Sequence, residues 1–360
     1  MVKIDRSLLY SSLNYINANS KREKNEALVG QIDGDLLRLW QPGFVRVWDS
    51  IPVEEAEPMF FTVDCDKFTK IVNACTSSII SMSTKESKLH VSFGKSRILL
   101  PFLESVEDNI SPPPEVVSQI LVKSEFIGAL SRGLNFLAKT EHAPVLTCYS
   151  VAPLSPGILR ITASDAMKVF VADLEYDGDQ SFAAFLLPKE CGVLMTKIFS
   201  KSKEISIGLT DRGLLVLAEE GSDRVLLTPP YNGQYPDMSR LVDISTSAKF
   251  FRSNKKELQK MLQLVDITSE MKQVRFSQMN GSVALYATKS QIETDLVLNN
   301  VEVFAEFEDV NFNAEFLGVC VSAVDGTEVL ISIVNEKMKA YRIENEDRSE
   351  SYCLVQALSG

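Results

Sequence analysis

The amino-acid sequence predicts an α+β protein made of three similar domains, each with two helices packed on antiparallel sheet. Helix-like and strand-like segments recur in one order with a period of about 120 residues, which is typical of a domain and too long for a solenoid repeat. The chain has 360 residues, enough for two or three separate hydrophobic cores. The predicted domains are residues 1–116, 117–245 and 246–360. They share a pattern rather than residues, and three copies of one domain favour a symmetric assembly such as a ring.

The first domain begins with a predicted helix over residues 5–17, whose apolar residues share one face: Leu8, Leu9, Leu13 and Ile16. A second helix is predicted over residues 65–76. Short apolar or alternating runs predict strands over residues 26–32, 35–40, 44–49, 59–63, 79–84, 88–93 and 96–101. The prolines within residues 109–114 mark a linker, because consecutive prolines fit neither a helix nor a central strand.

The same order of segments follows twice more. Helices are predicted over residues 124–140, 189–201, 255–267 and 314–324. Strands of the second domain are predicted over residues 118–123, 145–152, 157–164, 168–176, 181–188, 204–209, 213–220 and 224–230. Those of the third are predicted over residues 248–254, 272–278, 281–289, 292–298, 301–308, 327–334, 337–344 and 351–358, after a turn-rich segment at 231–237.

Composition excludes several classes of protein. The apolar runs are far shorter than the roughly 20 residues that cross a bilayer. The N-terminal segment lacks the apolar core of a signal peptide, so we expect a cytoplasmic protein without membrane contact. The six cysteines are scattered, with no C-x-x-C pair, and are expected to be buried reduced thiols. Because His90 and His142 are the only histidines, we expect no metal site and no cofactor.

The sequence carries no motif for catalysis. Residues 94–96 (Gly-Lys-Ser) resemble the end of a phosphate-binding loop, but the glycine required five positions earlier is Leu89, and no helix follows. The Asp-Gly-Asp triplets at 33–35 and 177–179 lack the distal glutamate of a calcium loop, and Asp-Gly is a common hairpin turn. We therefore expect turns at all three places, and no catalytic residue.

Basic residues gather on or beside the predicted helices although the chain has a formal net charge of −11. If these helices share one surface, that surface attracts DNA phosphates without reading sequence. The ordinary alternative is a solvated protein face, and the last predicted helix, with no basic residue, favours that alternative. The basic residues are Lys21, Arg22, Lys67, Lys70, Arg132, Lys139, Lys189, Lys197, Lys201, Lys203, Lys255, Lys256 and Lys260.

Four segments of the chain match the motifs of one protein family in register. Residues 159–165 (Leu-Arg-Ile-Thr-Ala-Ser-Asp), followed by a strand, resemble the L-R-x-x-A-T-D-G-H-R-L segment of bacterial sliding clamps, the β subunits of DNA polymerase III. Residues 233–240 are similar to its G-x-F-P-D-Y-x-R segment. Pro188 with the following Gly192-Val193, and the hairpin at 94–97, match in the expected order. The match covers essentially the whole chain.

The chain departs from the family pattern at three places. Ala166, Met167 and Lys168 replace the Gly-His-Arg of the family, and Met238 replaces a tyrosine. The C-terminal residues 354–360 differ from the common Met-Pro-Met-Arg-Leu ending. These departures are typical of a divergent clamp, such as one encoded by a phage or a mobile element.

The resemblance implies a non-enzymatic processivity factor that encircles duplex DNA and tethers a DNA polymerase. It implies a closed ring in which this chain is one half, opened by an ATP-dependent clamp loader. Six touching domains of this size enclose a hole of about 35 Å, wider than a duplex of about 20 Å, which agrees with a head-to-tail homodimer. The alternatives are an acidic three-domain scaffold or regulatory protein that does not encircle DNA, and, less favoured, an enzyme on a repeated fold.

The resemblance also assigns residues to each surface. The basic residues named above are expected to face DNA. The pocket for partner peptides is expected to consist of Leu146, Ser164, Ala166, Met167, Lys168, Val169, Pro236, Arg240, Leu241, Leu354, Val355 and Ala357. The dimer interface is expected to join Ile98 and Leu100 with Leu264, Val265 and Ile267 of a second copy.

Overall fold

The fold is taken from a computed structural model of the chain. It describes residues 1–23, 27–103, 115–139, 143–242, 248–269, 271–279, 281–289, 292–335, 337–346 and 348–358. The predicted linker at 109–114 and His142 lie outside these residues. Packing divides the chain into two units: unit 1 is Met1–Ile127, Tyr176–Phe182 and Glu190–Pro230, and unit 2 is Gly128–Glu175, Ala183–Lys189 and Tyr231–Gly360. The three-domain boundaries stay a prediction.

The structure confirms an α+β fold with antiparallel sheets. The helices are α1 (Arg6–Glu23), α2 (Cys65–Ala74), α3 (Glu125–Gly133), α4 (Lys189–Ile198), α5 (Ser239–Val242), α6 (Lys255–Thr268) and α7 (Ala314–Ala323). The strands up to residue 178 are β1 (Val2–Asp5), β2 (Ala27–Asp33), β3 (Leu36–Gln41), β4 (Arg46–Pro52), β5 (Met59–Asp64), β6 (Ile79–Lys85), β7 (Lys88–Phe93), β8 (Ser96–Pro101), β9 (Val116–Lys123), β10 (Cys148–Ser155), β11 (Ile158–Ser164) and β12 (Lys168–Gly178).

The remaining strands are β13 (Phe185–Pro188), β14 (Glu204–Thr210), β15 (Leu215–Glu219), β16 (Val225–Thr228), β17 (Ala248–Asn254), β18 (Gln273–Met279), β19 (Ser282–Lys289), β20 (Ile292–Val297), β21 (Val301–Val303), β22 (Val310–Asn313), β23 (Glu328–Asn335), β24 (Ala340–Asn345) and β25 (Arg348–Gln356).

Unit 1 contains a long antiparallel sheet in the order β5–β2–β3–β4–β16–β15–β14–β9, and a smaller one in the order β1–β6–β7–β8. Buried and more exposed residues alternate along these strands. In β7, Leu89 and Val91 are buried, whereas His90 between them points to the other face. Trp40 and Trp48 pair across β3 and β4 and stack with their ring centroids 4.9 Å apart.

Unit 2 repeats this arrangement. Its long antiparallel sheet has the order β13–β10–β11–β12–β25–β24–β23–β17–β21, and its smaller sheet the order β20–β19–β18–β22. Side chains cap the two helices that pack together in this unit. Asn254 accepts from the N–H of Glu257 at 3.2 Å to start α6, and Asn313 accepts from the N–H of Phe316 at 3.0 Å to start α7.

Several predicted elements are shorter in the structure. The helix predicted over 124–140 ends at Gly133, and a 3-10 turn follows. A β-carbon at Gly133 would lie 3.1 Å from Tyr149 and Phe170, which accounts for the glycine. The strands predicted over 181–188 and 301–308 keep only Phe185–Pro188 and Val301–Val303. The strand predicted over 145–152 starts at residue 148 after a second 3-10 turn. Strands β1 and β22 were not predicted.

The Asp-Gly turn prediction is right at one triplet and wrong at the other. Gly34 and Gly94 sit in hairpin turns with φ of 63° and 58°, as expected. Gly178 instead belongs to the end of β12, where residues 176–178 pair with β9. Its φ of 111° and a neighbouring carbonyl oxygen, that of Gln119, explain the glycine, because a β-carbon would lie 2.6 Å from this oxygen.

The cysteine prediction is confirmed, since all six cysteines are buried free thiols. Burial raises the pKa of the Cys65 thiol to about 12. The described part of the chain has no group of three His, Cys, Asp or Glu side chains placed to hold a metal ion. Nor does any helix in that part have the length and apolarity needed to cross a membrane.

Candidate functional site

A tight turn between β11 and β12 carries the segment in which the chain departs from the clamp motif. The Asp165 carboxylate accepts from the N–H groups of Met167 and Lys168, each at 3.0 Å. The Ser164 hydroxyl donates to the carbonyl of Lys168 at 3.0 Å and accepts from the N–H of Ala166 at 3.1 Å. Ala166 has a φ of 74°, in the left-handed region that favours glycine. The turn therefore holds Met167 at its tip, where 45% of the residue is exposed.

An apolar cluster lies beside this turn in unit 2. It consists of Val169, Val171, Val242, Tyr352 and Leu354, with Met238, Leu241 and Val334 packed against it and partly exposed. Val169 of β12 pairs directly with Leu354 of β25. The Tyr352 hydroxyl donates to the carbonyl of Val242 at 2.9 Å, which attaches α5 to the sheet. Three residues of the predicted pocket, Val169, Leu241 and Leu354, are thus brought together.

The other residues of the predicted pocket occupy different depths. Ala166, Met167 and Pro236 are exposed, and Leu241 is half-buried. The remaining described ones are buried: Leu146, Ser164, Lys168, Val169, Leu354, Val355 and Ala357. The side chain of Arg240 lies outside the described residues. The buried residues support the surface from beneath, and Met167, Pro236, Ala166 and Leu241 are the ones that can touch a ligand.

Lys168 is buried by specific partners rather than by apolar packing alone. Its ammonium group forms an ion pair with Asp165, within the same turn. The Nζ atom lies 5.7 Å from the ring centroid of Phe136 and 5.1 Å from that of Phe316. A buried charge with an ion pair and two aromatic faces is compensated, so Lys168 fixes the turn instead of offering a free cation to a partner.

Sequence reasoning missed several residues of this site, among them Met238, Val242, Val334 and Phe316. Met238 lies in the segment that resembles the family, so its position carried a signal. Val334 and Phe316 come from β23 and the start of α7, and only the pairing of strands and the packing of α7 bring them near the turn.

The predicted DNA-facing residues differ in their exposure and in their partners. Lys139, Lys197, Lys201, Lys203, Lys256 and Lys260 are exposed, and Lys189 is half-buried. Lys67 and Lys70 are exposed but pair with Asp64 at 2.9 Å and Asp66 at 2.5 Å. The side chains of Lys21 and Arg22 lie outside the described residues.

Arg132 and Lys255, both predicted to face DNA, have partners within unit 2. Arg132 pairs with Asp325 at 2.9 Å. Lys255 donates to the carbonyls of Ser322, at 3.1 Å, and Val324, where it caps the C-terminal end of α7. Burial lowers the pKa of Lys255. These two cations contribute to the fold, and the exposed lysines are the better candidates for phosphate contact.

The predicted dimer-interface residues are only partly accessible. Leu264 and Ile267 on α6 are 48% and 68% exposed, whereas Val265 is fully buried and belongs to the core. On β8, Leu100 is buried and Ile98 half-buried, and the exposed apolar residue between them is Leu99. Among the described strands β8 and β20 each pair on one side only, so each leaves a free sheet edge in its own unit.

Comparison with known proteins agrees with this fold. No protein-family model matches the chain. In sequence it is similar to the beta sliding clamp of Chlamydia pneumoniae, with 19% identity over 258 residues, or 71% of this chain and 70% of that protein. In structure it is similar to the DNA polymerase III subunit beta of Pseudomonas aeruginosa, with a TM-score of 0.89 and 17% identity over 100% of both chains.

A second solved structure with the same fold is the Helicobacter pylori beta clamp bound to a DNA ligase peptide. Its TM-score is 0.82, with 18% identity over 100% of both chains. The chain therefore has the fold of bacterial sliding clamps over its whole length. The resemblance inferred from its motifs is confirmed, and the identities of 17–19% confirm that its sequence is divergent.

Proposed function

We propose that this chain is a DNA sliding clamp, a non-enzymatic protein that encircles duplex DNA and tethers a polymerase to it. The observation that carries the proposal is the match of the complete chain to solved sliding clamps, at a TM-score of 0.89 over 100% of both chains. A ring retains DNA by topology, so it needs neither a catalytic residue nor sequence-specific contacts. Exposed lysines such as Lys197, Lys201 and Lys256 would attract phosphates weakly enough to permit sliding.

The ring would close as a head-to-tail homodimer. The free edge of β8 in unit 1 and that of β20 in unit 2 are each able to pair with a strand of a second copy. Exposed apolar side chains accompany them: Leu99 on β8, and Leu264 and Ile267 on α6. Pairing two different edges is a heterologous contact, which makes a closed ring when the rotation between copies is 180°.

The partner site would be the turn bearing Met167 together with the partly exposed Leu241 and Met238. The Helicobacter pylori clamp with this fold binds a DNA ligase peptide. By analogy, we infer that short segments of a DNA polymerase and of an ATP-dependent clamp loader bind here. Thioether side chains suit such a surface because they are flexible and polarizable and can repack against different ligands.

Retention on circular DNA tests the proposal. The labelled protein is loaded onto nicked circular DNA by a bacterial clamp loader with ATP, and the complex is separated from free protein by gel filtration at high salt. We expect the protein to stay on the circle and to leave within minutes after a restriction enzyme linearises it. A scaffold that does not encircle DNA would show equal, salt-sensitive binding to both forms, and that result would refute the clamp.

Peptide binding tests the partner site separately. Met167→Glu with Leu241→Glu should weaken binding of a polymerase-derived peptide by several kcal/mol, because it places two unpaired charges against an apolar ligand. Leu154→Glu is the matched control, since Leu154 is 48% exposed in the same unit but belongs to neither the turn nor the apolar cluster. Normal binding by the double variant would place the partner site elsewhere while leaving the ring proposal untouched.

A further inference from the structure

A groove of about 590 Å³ lies in unit 2 and shares no residue with the apolar cluster described above. One wall is formed by residues 305–309, between β21 and β22. Lys339 and the residues that follow β25, Ala357 and Leu358, form another wall. Its volume is large enough for several side chains of a peptide, and of its lining residues only Ala357 belongs to a surface assigned above.

Aromatic rings line the interior of the groove. Phe250 and Phe307 stack with their centroids 5.0 Å apart and their planes 5° from parallel. Tyr341 meets Phe250 edge-on at 5.5 Å. Phe250 and Phe307 are half-buried, whereas Tyr341 is almost fully buried. Phe307 also stacks on Phe251 at 5.9 Å. The two phenylalanine rings are therefore only partly exposed in the groove, and aromatic rings attract cations as well as apolar groups.

Backbone hydrogen bonds hold both walls in place. The N–H of Phe307 donates to the side-chain oxygen of Gln278 at 3.1 Å, and that of Phe304 donates to the carbonyl of Phe250 at 2.9 Å. On the opposite wall, the N–H groups of Ala357 and Leu358 donate at 2.9 Å and 2.8 Å to carbonyls of Lys339 and Asn311. The groove is thus formed before any ligand arrives, which lowers the entropic cost of binding.

The charges around the groove are mostly negative. Glu306, Glu308 and Asp309 are exposed on one wall, and Lys339 is the basic residue opposite them. Asp309 pairs with Arg275 at 3.6 Å. Glu306 and Glu308 have no ion-pair partner among the residues that the structure describes. Two carboxylates without an ion-pair partner, beside partly exposed aromatic rings, disfavour DNA and favour a cationic ligand.

We propose that this groove binds a basic segment of a partner protein. An arginine side chain fits these features best, because its guanidinium group is planar, stacks on aromatic rings and binds carboxylates. The guanidinium would lie against Phe307 and pair with Glu306 or Glu308, and an apolar neighbour in the segment would contact Phe250. The inference goes beyond the clamp function and does not depend on it, since the whole groove lies within one unit of one chain.

Fluorescence polarization of a labelled hexapeptide of alternating arginine and phenylalanine tests the proposal with the full-length protein. Glu306→Gln with Glu308→Gln should weaken binding about fivefold to tenfold, because it removes two carboxylates while keeping their shape. Asp211→Asn with Glu220→Gln is the matched control: it removes the same charge from exposed positions in unit 1 and should change the affinity less than twofold. Phe307→Leu should weaken binding further by removing the π face, with thermal unfolding as the check that the variant is folded.

Three results would overturn the proposal. The first is that the wild-type protein fails to bind the peptide at millimolar concentration. The second is that the two double variants lose affinity equally, which would mean that only the overall acidity of the protein attracts the peptide. The third is that a peptide with glutamate in place of arginine binds equally well. None of these results bears on retention of the protein on circular DNA, so the groove and the clamp function can fail independently.

Discussion

Replacing Ala166 with glycine should stabilise the protein, although alanine and glycine differ by one methyl group. Ala166 has a φ of 74°, and left-handed backbone costs an L-residue about 1–2 kcal/mol. Glycine removes that cost but adds about 0.5–1 kcal/mol of backbone entropy to the unfolded chain. The difference predicts that the free energy of unfolding rises by about 0.5–1 kcal/mol in Ala166→Gly.

Urea unfolding followed by circular dichroism measures this change as a shift of the midpoint at constant slope. Ala183→Gly is the control, because Ala183 is exposed in the same unit and lies outside the left-handed region. There glycine adds only the entropy of the unfolded chain, so the free energy of unfolding should fall by up to about 1 kcal/mol. The two variants should therefore move in opposite directions. If Ala166→Gly unfolds at a lower urea concentration than the wild type, the reasoning from backbone strain is refuted.

Three further changes have defined outcomes. Gly178→Ala should lower the free energy of unfolding by about 2–4 kcal/mol in urea, because φ is 111° and the new β-carbon would lie 2.6 Å from a backbone oxygen. Hydrogen bonds from Lys249 and then Arg252 lower the pKa of Glu346 below its ordinary value of 4.5. The Glu346 carboxylate therefore adds to the free energy of unfolding at pH 7, and this contribution is lost as the pH falls through the lowered pKa. Glu346→Gln should therefore cost about 0.5–1 kcal/mol at pH 7, and this cost should shrink as the pH falls below 4.5 and through the lowered pKa. Ile267→Asp, at a residue 68% exposed, should convert the proposed dimer to monomers in mass photometry, and an unchanged dimer would exclude α6 from the interface.

The elements that the sequence predicted best are those whose pattern is local. In β7, alternation alone places Leu89 and Val91 inward, and the structure buries both. The turns at Gly34 and Gly94 follow from glycine's tolerance of positive φ between two alternating runs. The same local rule failed at Gly178, because there the positive φ serves a close approach of β9 rather than a reversal of the chain. A glycine in the sequence indicates an unusual backbone conformation, but it does not indicate which neighbouring segment requires that conformation.

Pairing between distant strands had no comparable signal. β16 joins β4 within unit 1, with Val225 opposite Trp48, and β12 joins β25 within unit 2, with Val169 opposite Leu354. These contacts connect segments that the sequence assigned to different predicted domains. Which strands lie at the edge of a sheet depends on which strands pair. An apolar run has the same sequence pattern whether it is paired on one side or on both.

The burial of side chains at the candidate site could not be predicted from the sequence either. A motif gives positions along the chain, but exposure depends on what packs above each position. Lys168 is the clearest case, because a lysine in a turn is ordinarily solvated, and here Phe136, Phe316 and Asp165 enclose it. Val265 shows the same for α6, where one step along the helix separates a core residue from the exposed Leu264.

In the turn at 164–168, the residues that determine the backbone conformation differ from the residue whose side chain is exposed to a ligand. The shape of the turn depends on Ser164 and Asp165, whose side chains hydrogen-bond the N–H groups of the next three residues and hold Ala166 in left-handed backbone without a glycine. The chemical character of the site depends on Met167, which contributes no side-chain hydrogen bond to the turn and is 45% exposed. Because different residues perform these two tasks, substitution at Met167 can alter which ligand is accepted while the backbone stays as it is. The residue at the tip of the turn can therefore differ from the family motif while the clamp fold is kept over the whole chain.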